Sequence, residues 1–128
     1  MDDVTKPNAK LLYIEDNPAN AALMARIMVK RPSITLFVAS TGADGQQIAV
    51  DILPQLLIVD NRLPDATGEQ IIQRIQTALK EKMPPAIVLS ADSNPQVVSR
   101  LLALGVAHYI TKPYDVKGLL GVIDSYCT

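Results

Sequence analysis

Cysteine, histidine, basic clusters and long apolar runs are scarce in this chain, and each scarcity removes a class of function. One cysteine occurs in 128 residues, and it is Cys127, one position from the C-terminus, so no internal disulfide can form. The single histidine, His108, precedes a short apolar run and reads as a half-exposed edge residue rather than a phosphoryl donor. No apolar run approaches the ~20 residues of a membrane span, which argues against membrane insertion. The opening Met1-Asp2-Asp3-Val4-Thr5-Lys6 lacks the basic-then-apolar form of a signal peptide. Twelve Lys and Arg against thirteen Asp and Glu leave a net charge of −1, with no basic run to mark a nucleic-acid or anionic-membrane surface. The expectation is a cytosolic, soluble, single-domain chain, whose 48% hydrophobic residues are ample for a core.

What is present is an alternation of short apolar runs with helical patterns. Residues 1–9 are polar and read as a frayed tail. Leu11 to Ile14 forms an apolar run that ends in Glu15 and Asp16, and Asn17-Pro18 then supplies an N-cap with proline at the first helical position, opening a helix from Ala19 to about Arg31 that Pro32 ends. Ile34 to Ala39 suits a strand, and Ala43 to about Ile52 a helix closed before Pro54. Leu56 to Val59 is an apolar run that stops at Asp60, and a Pro/Gly-punctuated loop follows it. Gly68 to Lys82 carries Ile71, Ile72, Ile75 and Leu79 at helical spacing. Ala86 to Ser90 is the next strand, Asn94-Pro95 opens a helix that Gly105 stops, Tyr109 to Thr111 is a last strand, and Val116 to about Tyr126 a last helix.

Five strands alternating with five helices predict an α/β, doubly wound, five-stranded parallel sheet with helices on both faces. In the flavodoxin-like order 2-1-3-4-5 the crevice lies between the first and third strands, the two that end in acids. Reactive side chains then end four strands: Glu15 and Asp16, Asp60, Ser90, and Lys112 just after the last. Each alone has an ordinary explanation, since Asp begins turns, Ser caps and Lys is solvated. Together they are specific. Three carboxylates converging on one crevice repel one another unless a cation neutralises them, and oxygen-only ligation suits Mg²⁺. An ammonium and a hydroxyl facing the same spot complete a pocket complementary to a phosphoryl group on Asp60.

From Lys10 to Tyr126 the chain resembles the receiver domains of two-component response regulators, the CheY-like family. The resemblance rests on Glu15-Asp16, Asp60 with Leu63-Pro64 and Gly68, Ser90-Ala91, and Tyr109-Ile110-Thr111-Lys112-Pro113. It implies that Asp60 is the phospho-acceptor, fed by a histidine kinase or a histidine phosphotransfer domain. It further implies that Asp16, Asp60 and the Arg62 backbone carbonyl bind Mg²⁺, with Glu15 acting through water. Ser90 and Lys112 would contact phosphoryl oxygens, Ala91 would admit the group, Tyr109 would change rotamer, and the Lys112-Pro113 bond would be cis. Ser90 stands where Thr is commoner in the family, and Glu15 where some relatives carry Asp. The opening Tyr13-Ile14-Glu15-Asp16-Asn17-Pro18-Ala19-Asn20 looks most like receivers of hybrid sensor histidine kinases.

Other classes fit less well. A haloacid-dehalogenase-type phosphatase needs a second acid two residues after the nucleophile, where this chain has Arg62. A nucleotide or flavin module would want a Gly- or Ser/Thr-rich phosphate loop after the first strand, not Glu15-Asp16. The chain is therefore expected not to turn over a substrate but to carry a signal, through the face formed by the helix after Ser90, the last strand and the last helix.

Three finer expectations follow. On the first helix, Leu23, Met24 and Ile27 serve the core, while Ala22, Ala25 and Val29 mark either a neighbouring face for the donor's helical bundle or a broad core-facing stripe. On the last helix, Val116, Leu119, Leu120 and Ile123 form the core stripe, while Gly118, Gly121, Val122 and Ser125 mark either a face for self-association on phosphorylation or a helix that is simply weak. Arg62 and Asp92, each two residues beyond a site residue, carry opposite charges that either pair across the pocket mouth and tune the phospho-state lifetime or point to solvent, with Asp92 orienting the attacking water.

Overall fold

In the computed structural model, which describes residues 9–127, the apolar runs and helical patterns become five strands and five helices in strict alternation. They are β1 (Ala9–Ile14), α1 (Pro18–Met28), β2 (Ile34–Ala39), α2 (Gly42–Ile52), β3 (Leu56–Asp60), α3 (Gly68–Leu79), β4 (Ala86–Ser90), α4 (Pro95–Leu104), β5 (His108–Thr111) and α5 (Val116–Cys127). All neighbouring strands pair in parallel, in the order β2-β1-β3-β4-β5. The expected doubly wound sheet is the observed one.

Side-chain alternation along each strand feeds two cores. Leu11, Tyr13, Leu56, Ile58, Ile87 and Leu89 pack beneath α1 and α5 with Met24, Ile27, Met28, Leu119, Leu120 and Ile123. Leu12, Ile14, Leu57, Val59, Ala86 and Val88 pack on the other face with Ala49, Ile71, Ile72, Ile75 and Leu101. Each wholly buried Ile or Leu contributes about 1.5–3 kcal/mol relative to exposure, so the stripe on α3 alone fixes that helix's rotation against the sheet. Gly45 brings α2 close to β1, because a Cβ there would run into the Ile14 side chain.

Several boundaries differ from expectation. β1 begins at Ala9, which pairs with Ile34, so the expected tail loses one residue to the sheet; its remainder, 1–8, lies outside the described residues. α1 stops at Met28 rather than near Arg31. Val29, Lys30 and Arg31 donate to carbonyls three residues back, a tightened last turn, and Arg31 is turned across to α5. There its Nε and Nη2 grip both Asp124 oxygens at 2.7 and 2.8 Å. α3 ends at Leu79, with a short 3₁₀ turn over Lys80–Lys82, because Lys80 adopts φ 53°. β5 starts at His108, so that histidine belongs to the strand; its ring meets Tyr126, Nε2 to hydroxyl 3.1 Å, and the site lies at the strand's other end.

Leu23 is corrected too. It is 43% exposed, and Met28 takes the core place expected of it. The neighbouring face of α1 is open rather than core-facing, with Ala22 and Ala25 exposed and Val29 76% exposed. On α5, Gly118, Gly121 and Ser125 are exposed and Val122 is half-buried. A Cβ on Gly121 would meet nothing within 4 Å. Among the described residues no helix is long and apolar enough to cross a membrane.

Candidate functional site

Among the described residues, leaving tyrosine and cysteine aside, the buried polar or charged side chains are Glu15, Asp60 and Ser90. All three sit at carboxyl ends of strands. Ile14 pairs with Val59, so one step further puts Glu15 level with Asp60; Asp60 pairs with Leu89, and Ser90 with Thr111. The same alternation that builds the cores aims them. Glu15 follows Tyr13, Asp60 follows Ile58 and Lys112 follows Ile110, all on the α1/α5 side, whereas Ser90 follows Val88 on the other.

Lys112 Nζ accordingly bridges the two acids, 2.6 Å from Asp60 Oδ2 and 3.5 Å from Glu15 Oε1. The other Asp60 oxygen accepts the Arg62 backbone N–H at 2.8 Å, a local turn bond that fixes the carboxylate's rotation. The Lys112-Pro113 bond is cis, and Lys112 N–H donates to the Ser90 carbonyl at 2.8 Å, tying the two strand ends together. A cleft of about 430 Å³ opens above, lined by Asp60, Arg62, Ser90, Ala91, Asp92 and Lys112. Glu15 is 2% exposed; its Oε1 accepts the Tyr13 hydroxyl at 2.9 Å and its Oε2 the Asn17 N–H at 3.3 Å.

The electrostatics follow from burial. Desolvation holds the Glu15 carboxyl above its ordinary value, against the pull of its Tyr13 and Asn17 donors. Burial pushes the Tyr13 phenol up as well, and the adjacent Glu15 charge adds to it. For Lys112, burial alone would lower the ammonium's pKa, but the contacts with Asp60 and Glu15 outweigh it and leave it raised. Lys112 is thus a fixed positive charge against Asp60.

Asp16 is exposed beside this pair. The three carboxylates expected to converge are therefore two buried ones, bridged by an ammonium, with the third exposed, and among the described residues no group of three His, Cys, Asp or Glu forms a metal cage. The donors are nonetheless all oxygens at one edge, a set that suits a hard cation such as Mg²⁺.

Arg62 and Asp92 both line the cleft, but they form no ion pair among the described residues. Asp92 Oδ1 accepts the Asn94 N–H at 2.9 Å instead, a local bond that costs less ordering than a cross-cleft pair. The Asp92 backbone joins two site residues: its N–H donates to Ser90 Oγ at 3.0 Å, and its carbonyl accepts the Tyr109 hydroxyl. Two contributors went unread in the sequence. Tyr13 looked like one more apolar strand residue, although its position two before Glu15 puts both on one face. Asp65 accepts the Gly42 and Ala43 N–H groups at 2.8 and 3.0 Å, binding the loop after Asp60 to the N-terminus of α2. Nothing in local spacing signals that contact.

A family model of the response regulator receiver domain matches residues 11–124. The chain is 28% identical to an uncharacterized 14.6 kDa protein of Leptolyngbya boryana, covering 91% of this chain and 88% of that one. It is 30% identical to the DNA-binding dual master transcriptional regulator RpaA of Synechocystis, over 87% of this chain but 46% of RpaA. Among solved structures, the receiver domain of sensor histidine kinase PA1611 from Pseudomonas aeruginosa superposes with a TM-score of 0.81. That likeness, at 20% identity, covers 93% of this chain and 97% of the PA1611 receiver, which holds a magnesium ion in its active-site cleft.

Proposed function

The chain belongs to the response regulator receiver domain family, and we propose that within it Asp60 is the phospho-acceptor of a two-component phosphorelay. The observation that carries this is the Lys112 ammonium 2.6 Å from a buried strand-end carboxylate, at the floor of a cleft large enough for a phosphoryl group. An Asp60 oxygen attacks the phosphorus of a partner's phosphohistidine. A P–O bond forms, the N–P bond breaks, and its electron pair stays on the imidazole, which leaves as the neutral ring when its other nitrogen carries a proton. Lys112 meets the charge on the transferred oxygens, and the Ser90 hydroxyl, which accepts from the Asp92 N–H and keeps its own proton, donates to one of them.

Asp16, Asp60 and the Arg62 carbonyl would hold Mg²⁺, with Glu15 acting through water. Bound there, the ion would neutralise charge on the phosphoryl oxygens. PA1611's magnesium supports the reading only by likeness of fold. Turning Ser90 toward the phosphoryl group would shift Asp92, whose carbonyl holds the Tyr109 hydroxyl, letting Tyr109 move and the α4–β5–α5 face report the state. The chain is then a signalling acceptor that assists its own transfer and slow dephosphorylation, not an enzyme with a turned-over substrate. The donor, a histidine kinase or histidine phosphotransfer domain, docks on the exposed face of α1 that carries Ala22, Ala25 and Val29. Placement beside receivers of hybrid sensor kinases rests on the stretch Tyr13 to Asn20. RpaA shows that transcriptional regulators are among the relatives too. Transfer of labelled phosphate from a phosphohistidine donor to wild type and Asp60→Asn tests the reading: label on the first and none on the second supports it, and equal labelling overturns it.

A further inference from the structure

Three donors compete for one buried carboxylate. Glu15 Oε1 takes the Tyr13 hydroxyl at 2.9 Å and faces the Lys112 ammonium at 3.5 Å, while Oε2 takes the Asn17 N–H at 3.3 Å. The ammonium is shared unequally between two carboxylates, standing 2.6 Å from Asp60. Charge does not explain the inequality, since the Glu15 carboxylate, once ionised, attracts the ammonium as Asp60 does. The difference between them is Tyr13. Its ring is 1% exposed and anchored in the core beneath α1 and α5, which leaves its hydroxyl no solvent to turn to.

We propose that Tyr13 is a positioning residue for phosphoryl transfer, its hydroxyl satisfying Glu15 so that Lys112 is left to Asp60. This rests on Asp60 being the acceptor. Without the hydroxyl, a carboxylate almost cut off from solvent loses its uncharged side-chain donor, and the ammonium already 3.5 Å away is the nearest replacement. Drawn toward Glu15, Lys112 moves off Asp60 and off the oxygens it must meet. A purely packing role predicts the opposite, because phenylalanine fills the same volume without the oxygen.

The test compares the full chain with Tyr13→Phe, Glu15→Gln and the double variant. Two readouts are taken: phosphorylation of Asp60 against acetyl phosphate concentration at saturating Mg²⁺, and the Lys112 Nζ resonance by ¹⁵N NMR. In Tyr13→Phe the maximal rate should fall about three- to ten-fold, the fold-change equivalent of one hydrogen bond's net worth. The half-saturating acetyl phosphate concentration should hold, and the Lys112 resonance should move. In the Glu15→Gln background, where no second carboxylate competes with Asp60 for the ammonium, adding Tyr13→Phe should change neither readout. An unchanged rate and resonance in Tyr13→Phe overturns the proposal, and so does an equal loss in both backgrounds. If wild type takes no phosphoryl group, the acceptor reading falls, and the resonance decides the Tyr13 contact alone: movement in Tyr13→Phe but not in the double variant supports it, and no movement overturns it.

Discussion

The Tyr109 hydroxyl donates to the backbone carbonyl of Asp92, whose own N–H donates to Ser90 Oγ. A β5 side chain and a β4 side chain thus share the backbone of one residue in the loop before α4. Removing the phenol's oxygen in Tyr109→Phe should lower unfolding stability by about 0.5–1.5 kcal/mol, the net worth of an ordinary hydrogen bond. The urea midpoint should fall with an unchanged slope. Because the phenol does not touch Asp60, phosphorylation should persist. A midpoint equal to wild type would mean that the bond contributes nothing.

Asp65 makes stability sensitive to acid. The N–H groups of Gly42 and then Ala43 hold its carboxyl below the ordinary aspartate value in the folded chain. A depressed folded pKa gives stability that is complete above the unfolded value of about 3.9 and lost as pH falls through the folded one. Asp65→Asn keeps an acceptor but no charge. Thermal melts should therefore show wild type above the variant at neutral pH, with the gap closing below about pH 3.9. A gap that stays constant with pH would show that the charge is not involved.

Two glycines should respond oppositely to alanine. Gly45→Ala pushes a methyl into Ile14, an overpacking that typically costs about 1–3 kcal/mol. Gly121 lies in the exposed interior of α5 with open space around it, so Gly121→Ala should stabilise by about 0.8–1 kcal/mol. Denaturant unfolding of both variants checks the pair, and a destabilised Gly121→Ala would point to an occupied α5 face. Sedimentation before and after phosphorylation asks the same question of self-association directly.

Arg62 and Asp92 share no bond, and their effects on the lifetime of phospho-Asp60 should therefore be independent. In decay measurements on Arg62→Ala, Asp92→Ala and the double variant, the activation free-energy changes should add within about 0.3–0.5 kcal/mol. A larger interaction would restore the paired gate across the cleft that the opposite charges suggested.

The strands were legible because buried parallel strands are continuous apolar runs, and the site because reactive residues end those runs at Glu15, Asp60 and Ser90. Strand order came from fold habit, since alternation alone does not determine it. What stayed hidden depends on side chains meeting across the fold. The packing of α1 beside β2 decided that Leu23 faces out and Met28 in, and a tightened turn with Arg31 reaching Asp124 decided where α1 ends. Asp92 found its nearest donor two residues on rather than across the cleft. Tyr13's part in the site is invisible in a hydropathy pattern, which records its ring and not its oxygen.

The central claim is that Asp60 is the phospho-acceptor and that Mg²⁺ is required. Intact-mass spectrometry after incubation with acetyl phosphate tests it most directly, on wild type with Mg²⁺, wild type with chelator, and Asp60→Asn with Mg²⁺. The account predicts a single added phosphoryl group in the first sample and none in the other two. Equal modification of Asp60→Asn, or of the chelated sample, would contradict it.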